Sequence, residues 1–166
     1  MESNIRQIAP PDVPAVVEFA LRAWAPVFES FQAVLGERLF KAVYPDWLES
    51  QARDVEAVCR DDSADVWVAQ EEGRPVAYVA IRLDPDAKSG EIDMLAVDPE
   101  FQRRGIGSAL TTFALERIRD AGCMLAVVAT GGDPGHASAR LTYEKAGFVG
   151  LPLVRYYMLL DGDDTR

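Results

Sequence analysis

The chain has 166 residues, 49% hydrophobic and 27% charged, which suits one folded domain with room for a real core. Its net charge of −10, with a pI near 4.5, repels nucleic-acid phosphates and argues against DNA or RNA as a partner, while suiting a cationic substrate or simple solubility. Cys59 and Cys123 form no CxxC pair or disulfide framework, and the single histidine, His136, leaves no His-cluster metal site or HExxH motif, so no metal is expected.

Taken in order, residues 5–8 are expected as a short first strand, ended by Pro10-Pro11, with Asp12 as a helix N-cap. Val16, Val17, Ala20, Leu21 and Trp24 then recur at helical spacing. A second helical region covers about 36–59, and Pro45 should break or bend it because proline lacks an amide hydrogen. Residues 65–69 and 75–83 are β-rich, and Glu71-Glu72-Gly73-Arg74 between them reads as a hairpin turn. Residues 91–97 form another strand, closed by Asp98-Pro99. Ile106, Leu110, Phe113, Ala114 and Ile118 mark a helix stopped by Gly122. The apolar run 124–129 predicts a strand buried on both faces. Residues 131–135 form a glycine-rich loop, 137–146 a helix stopped by Gly147, and 148 onward and 155–160 two last strands. The tail 161–166 is polar and should fray. The predicted order is β-α-α-β-β-β-α-β-α-β-β. The strand at Glu91, its following helix and the strand at Met124 form a parallel βαβ unit, while the hairpins imply a mixed sheet. Both cysteines sit in apolar stretches and read as structural thiols. No basic region precedes an apolar run near the N-terminus, and no apolar run approaches the roughly 20 residues of a membrane span. A cytoplasmic protein with no membrane partner is expected.

The informative segment is Leu95-Ala-Val-Asp-Pro-Glu-Phe-Gln-Arg-Arg-Gly-Ile-Gly-Ser-Ala-Leu110. A strand runs into a turn containing Gln102, Arg103, Arg104, Gly105, Ile106 and Gly107, and a helix starts there. Glycines let the backbone approach a ligand closely, and the new helix points free amide hydrogens and its positive dipole end into that space. This is a phosphate-binding arrangement. It is neither a Walker A loop nor a dinucleotide fingerprint, since no Gly-Lys-Ser/Thr and no third glycine follow. A tight turn with solvated arginines has the same local pattern.

A second segment, His136-Ala-Ser-Ala-Arg-Leu-Thr-Tyr-Glu-Lys-Ala-Gly-Phe148, follows one strand later. Together the two resemble the GNAT acetyltransferase family, whose first signature is Gln/Arg-x-x-Gly-x-Gly/Ala after a strand ending apolar-Val-x-Pro. Its second is a helix ending Tyr-Glu-Lys-x-Gly-Phe. The resemblance is specific over residues 91–148 and extends by element order to the rest. It implies an α/β (α+β) fold: a central mixed sheet of six to seven strands flanked by about four helices. Residues 1–166 would be a single domain, with a cofactor core at about 91–148 and acceptor-side helices at about 12–60.

The resemblance further implies acetyl-CoA as co-substrate, lying where the strand at Glu91 splays from the strand at Met124. Amides of Gln102, Arg103, Arg104, Gly105, Ile106, Gly107 and Ser108 would hold the pyrophosphate, and backbone groups of Leu95, Ala96 and Val97 the pantetheine arm. Tyr143 falls at the family's general acid, able to protonate the leaving CoA thiolate. The base that deprotonates the amine would be Glu91, where histone-type members place a glutamate, or Asp93, on the same strand face by period-two alternation. Where the family often has asparagine against the cofactor's arm, this chain has His136. That histidine is open to three readings: a hydrogen bond to CoA, a base, or no role. Trp24, Phe28, Tyr44 and their aromatic neighbours fall in helices that wall the acceptor site in the family. The resemblance thus implies an acyltransferase acting on a primary amine of a small molecule. A protein N-terminus or lysine is the alternative acceptor, and a non-catalytic acyl-CoA sensor the reading from another class. The exposed edges of a final hairpin, and the family's habit, favour a homodimer.

Overall fold

The computed structural model describes residues 4–160; the polar tail expected to fray lies outside the described residues. Helix α1 spans Val13–Leu35 and ends at Gly36; α2 (Glu37–Val43) and α3 (Trp47–Cys59) are separated by Pro45, as its missing amide requires. Asp12 immediately precedes α1 but does not cap it through its side chain. Its carboxylate turns back instead, accepting from the Ala9 amide at 2.8 Å and from the Arg6 guanidinium at 2.6 and 2.9 Å. That fork ties the helix start to the first strand.

The sheet has five strands in the order β1 (Asn4–Gln7), β2 (Asp65–Glu71), β3 (Arg74–Asp84), β4 (Ser89–Val97) and β5 (Leu125–Val128). The first four pair antiparallel, and β4 pairs β5 in parallel. The β2–β3 turn places Glu72 and Gly73 at positive φ, the left-handed pair that matches the twist of a tight hairpin. Helix α4 (Ile106–Asp120) makes the crossover between the parallel strands, and α5 (Ala137–Lys145) follows β5.

Two apolar layers sandwich the sheet. Val79, Ile81, Ile92 and Val97 face α4 through Ile106, Leu110, Ala114 and Ile118. Val68, Tyr78, Ala80 and Ala96 face α1 and α3 through Val16, Phe19, Ala20, Val55 and Val58. Each fully buried aliphatic side chain of this kind contributes about 1.5–3 kcal/mol. Burial also raises the Cys59 thiol to about 11, so it stays a protonated apolar filler at neutral pH.

The mixed sheet and flanking helices match the expected fold class, with three corrections. The run 124–129 is not buried on both faces: Leu125 is 58% and Val127 40% exposed, because β5 is the last strand of the sheet. The segments 148 onward and 155–160 form no strands, so the sheet holds five strands rather than six to seven. An isolated strand has nothing to accept its backbone hydrogen bonds, and Pro152 removes one donor outright. Five α-helices flank the sheet rather than about four. Among the described residues no helix is long and apolar enough to cross a membrane.

Candidate active site

The site begins with a mismatch in strand length. Parallel pairing of β4 with β5 stops at Ile92 and Val128, yet β4 runs on to Val97. Just past Ile92 the β3–β4 register shifts, so that Ala80 faces Met94 and Ile81 faces Ile92, leaving Asp93 as an unpaired extra residue. Such a bulge bends the strand and increases its twist. Beyond it, residues 93–97 line a cleft of about 430 Å³ whose far wall is Ala129, Thr130 and helix α5.

The start of α4 lies against this cleft. Its first internal hydrogen bond runs from the Ala109 amide to the Gly105 carbonyl at 2.9 Å. The amides of Ile106, Gly107 and Ser108 therefore have no partner within the helix, and all three residues line the cleft. Gly105 (φ 82) and Arg103 (φ 60) hold left-handed backbone conformations. Glycine takes this conformation without cost, whereas Arg103 stores strain of about 1–2 kcal/mol. Backbone kept in such a state aims amides into an anion-binding concavity. The loop is anchored from behind: the Gln102 Nε2 donates to the Val97 carbonyl at 3.1 Å. Asp98 is buried, accepts from the Glu100 amide at 3.1 Å and receives Arg22 of α1 at 2.8 Å.

Most expected cofactor residues come together here. Leu95, Ala96, Val97, Gln102, Arg103, Gly105, Ile106, Gly107, Ser108 and His136 all line the cleft. Arg104 does not. Its guanidinium lies 4.8 Å over the Phe101 ring and approaches Glu71 at 3.7 Å, so its charge is engaged outside. Tyr143 lines the opposite wall, and burial pushes its phenol above the ordinary tyrosine range, so it holds its proton at neutral pH. The two carboxylates part company. Asp93 reaches the cleft but binds Arg82 at 2.7 Å; Glu91, opposite Arg82 in the β3–β4 register, is exposed and is not among the lining residues. Of the expected acceptor residues, Trp24 lines the cleft. Phe28 and Tyr44 back it, stacked on Trp47 at 4.3 Å and on Phe31 at 5.5 Å respectively.

One partnership was not anticipated. The His136 Nδ1 lies 2.5 Å from the Asp133 carboxylate, both side chains nearly buried. Burial opposes ionisation of Asp133, but hydrogen bonds from Ser30, His136 and the Gly135 amide outweigh it and lower its pKa. Arg140 clamps the same loop, donating to the Gly131 and Asp133 carbonyls at 2.6 and 2.8 Å. The available signal was the Asp-x-x-His spacing in a short 3-10 turn, which brings residues three apart onto one side.

The Acetyltransferase (GNAT) family matches residues 24–148. The mycothiol acetyltransferase of Beutenbergia cavernae is 38% identical over 52% of this chain, and that of Streptomyces coelicolor 28% identical over 53%. These matches span only 29% and 28% of the relatives' own lengths. Among solved structures, AAC(6')-Iy with a CoA bisubstrate analogue superposes with a TM-score of 0.64 at 16% identity, covering 94% of this chain and 97% of that one. The ribosomal-protein-S18-alanine N-acetyltransferase from Escherichia coli gives 0.66 at 21% identity, covering 96% and 86%. These structural likenesses carry the fold.

Proposed function

The chain belongs to the acetyltransferase (GNAT) family, and on that premise we propose that it moves an acetyl group from acetyl-CoA to a primary amine of a small molecule, by direct attack of the amine on the thioester. The observation that carries this reading is the cleft where β4 leaves β5, with three partnerless amides on one side and Tyr143 on the other. The amides of Ile106, Gly107 and Ser108, with Gln102, Arg103 and Gly105 beside them, suit a pyrophosphate; the backbone of Leu95, Ala96 and Val97 suits an extended amide-bearing arm. As the C–S bond breaks, the Tyr143 phenol gives its proton to the departing thiolate.

The small-molecule acceptor is supported by the aromatic wall of Trp24, Phe28 and Tyr44, and by mycothiol and aminoglycoside acetyltransferases among the similar proteins. The chain's acidity favours a cationic acceptor. Residues 1–166 act on this reading as a single acetyltransferase domain. A homodimer belongs to the same reading. The segment after Phe148 exposes Val149, Leu151, Leu153, Tyr156, Met158 and Leu160, and the unpaired β5 edge exposes Leu125 and Val127. Strand addition between two copies would cover both.

Calorimetric titration with acetyl-CoA, alongside NADH and ATP, is the direct test. Selective acetyl-CoA binding, followed by thiol release with one of spermidine, glucosamine, kanamycin or an alanine-terminated peptide, is the expected outcome. Turnover of the peptide alone would move the acceptor to protein termini. Absence of acetyl-CoA binding would sink the reading.

A further inference from the structure

We infer that His136, oriented by Asp133, is the group that takes the proton from the acceptor amine. This rests on the acetyltransferase reading and deepens it, because neither carboxylate on β4 is well placed: Asp93 is bound to Arg82 and Glu91 lies outside the cleft lining.

An ionised carboxylate only accepts, so Asp133 obliges the imidazole to donate from Nδ1. A neutral imidazole with its hydrogen on Nδ1 carries its basic lone pair on Nε2. No described residue makes a hydrogen bond to that nitrogen, and it is not among the sealed-off unpaired polar atoms. His136 lines the cleft, so Nε2 is the imidazole atom left to face a ligand. The same logic orients the histidine of a serine-protease triad.

The surroundings fix this arrangement and place it on the acceptor side. The His136 ring meets Trp24 at 6.0 Å and Phe31 at 5.6 Å, both on α1, the helix that carries the expected acceptor-side aromatics. A Cβ at Gly131 would collide with both Asp133 Oδ1 and His136 Nδ1. At Gly135 it would come within 2.8 Å of Ser30 and 2.9 Å of Asp133 Oδ2. The two glycines vacate the space the pair occupies. The titratable and charged groups facing the pair or sharing its cleft are Tyr44, just after α2, Asp93 of β4, Arg103 of the phosphate loop, and Arg140, Tyr143 and Lys145 of α5; α1 presents Trp24, Ser30 and Phe31, none of them charged.

Atoms and protons balance without another reactant. Nε2 removes one proton from the ammonium, and the freed amine forms the C–N bond. The C–S bond breaks, and the second nitrogen proton replaces the one Tyr143 delivers to the thiolate. His136 returns its proton to solvent.

His136 is the chain's only histidine, so its imidazole can be read without overlap in tag-free protein. Nitrogen-15 NMR should show the Nδ1–H tautomer in the wild type and a relaxed tautomer preference in Asp133→Asn. A dominant Nε2–H tautomer in the wild type would overturn the proposal whether or not an acceptor amine is in hand. On the amine found to turn over, His136→Asn should lower kcat/KM at pH 7 by about 100-fold or more, the usual scale of base catalysis. Acetyl-CoA affinity should stay near wild type in the same variant. Loss of acetyl-CoA affinity matching the loss of kcat/KM would make His136 a cofactor contact instead. Failure of the wild type to bind acetyl-CoA would refute the enzymatic reading separately.

Discussion

Tyr143 and the dispersed aspartates carry the predictions that belong to single residues. Tyr143→Phe removes one hydroxyl from a half-buried ring that packs on Phe148 at 5.9 Å, so the fold should be kept. Turnover is expected to fall about 100-fold or more while calorimetry finds acetyl-CoA affinity nearly unchanged; undiminished turnover would remove Tyr143 from the mechanism. Because burial raises its pKa, no alkaline loss of activity from this group should appear below about pH 10. On the acid side, the Arg6 hydrogen bond lowers Asp12, and hydrogen bonds from Ser63 and Arg82 lower Asp61 to about 2. Folded pKa values below the unfolded ones mean a stabilisation fully present above about pH 5. It is lost as pH falls toward the folded values. The melting temperature should decline through that window, and less steeply in Asp61→Asn; parallel declines would show the Arg82 cluster contributes nothing.

At the scale of elements, the strand-to-helix turn before α4 is the vulnerable joint. Gly105 sits at φ 82 with open space where a Cβ would go, so Gly105→Ala meets no clash and carries only backbone strain, about 1–2 kcal/mol. Its expected signature is a modest drop in melting temperature with a larger loss of acetyl-CoA affinity, since relaxing φ re-aims the amides. Asp98→Ala strikes the same joint from behind. It strips a buried acceptor from the Glu100 amide and from Arg22, which should cost about 1–3 kcal/mol in denaturant unfolding. An unchanged midpoint would mean Arg22 and the loop find equal partners in water.

For the whole molecule, the outstanding feature is apolar surface left uncovered beyond Phe148. Val149 is 96% and Tyr156 89% exposed, while the Tyr157 phenol of the tail and the Tyr44 phenol of the body are electrostatically linked, Tyr157 shifted down chiefly by Arg155 and Tyr44 shifted up chiefly by burial. A contiguous apolar stretch of this kind marks an interaction surface. Light scattering should give a dimer mass for the full chain and a monomer for a chain ending at Phe148. A monomeric full chain would end the proposal that a second copy covers the tail.

The sequence alone determined the succession of helical and strand regions as far as α5, the breaks at Pro45 and Gly122, and the two motifs around Gly105 and Tyr143. These are local matters: periodicity, a missing amide, a residue permitted at positive φ. It also placed ten of the eleven expected cofactor residues on one cleft, because they fall in continuous segments at the carboxyl end of β4, the start of α4 and the start of α5. Only the tertiary structure decided which charges face that cleft. A one-residue bulge, invisible to period-two counting, sets the local geometry around Asp93. Arg82 from the neighbouring strand then occupies Asp93, and Phe101 draws Arg104 away. Tertiary structure likewise decided that residues 149–160 form no strand, since strandedness depends on a neighbour and not on apolar residues alone. The Asp133–His136 pair depended on both: a spacing of three in the sequence, and walls from α1 and β4 that make it one side of a binding cleft.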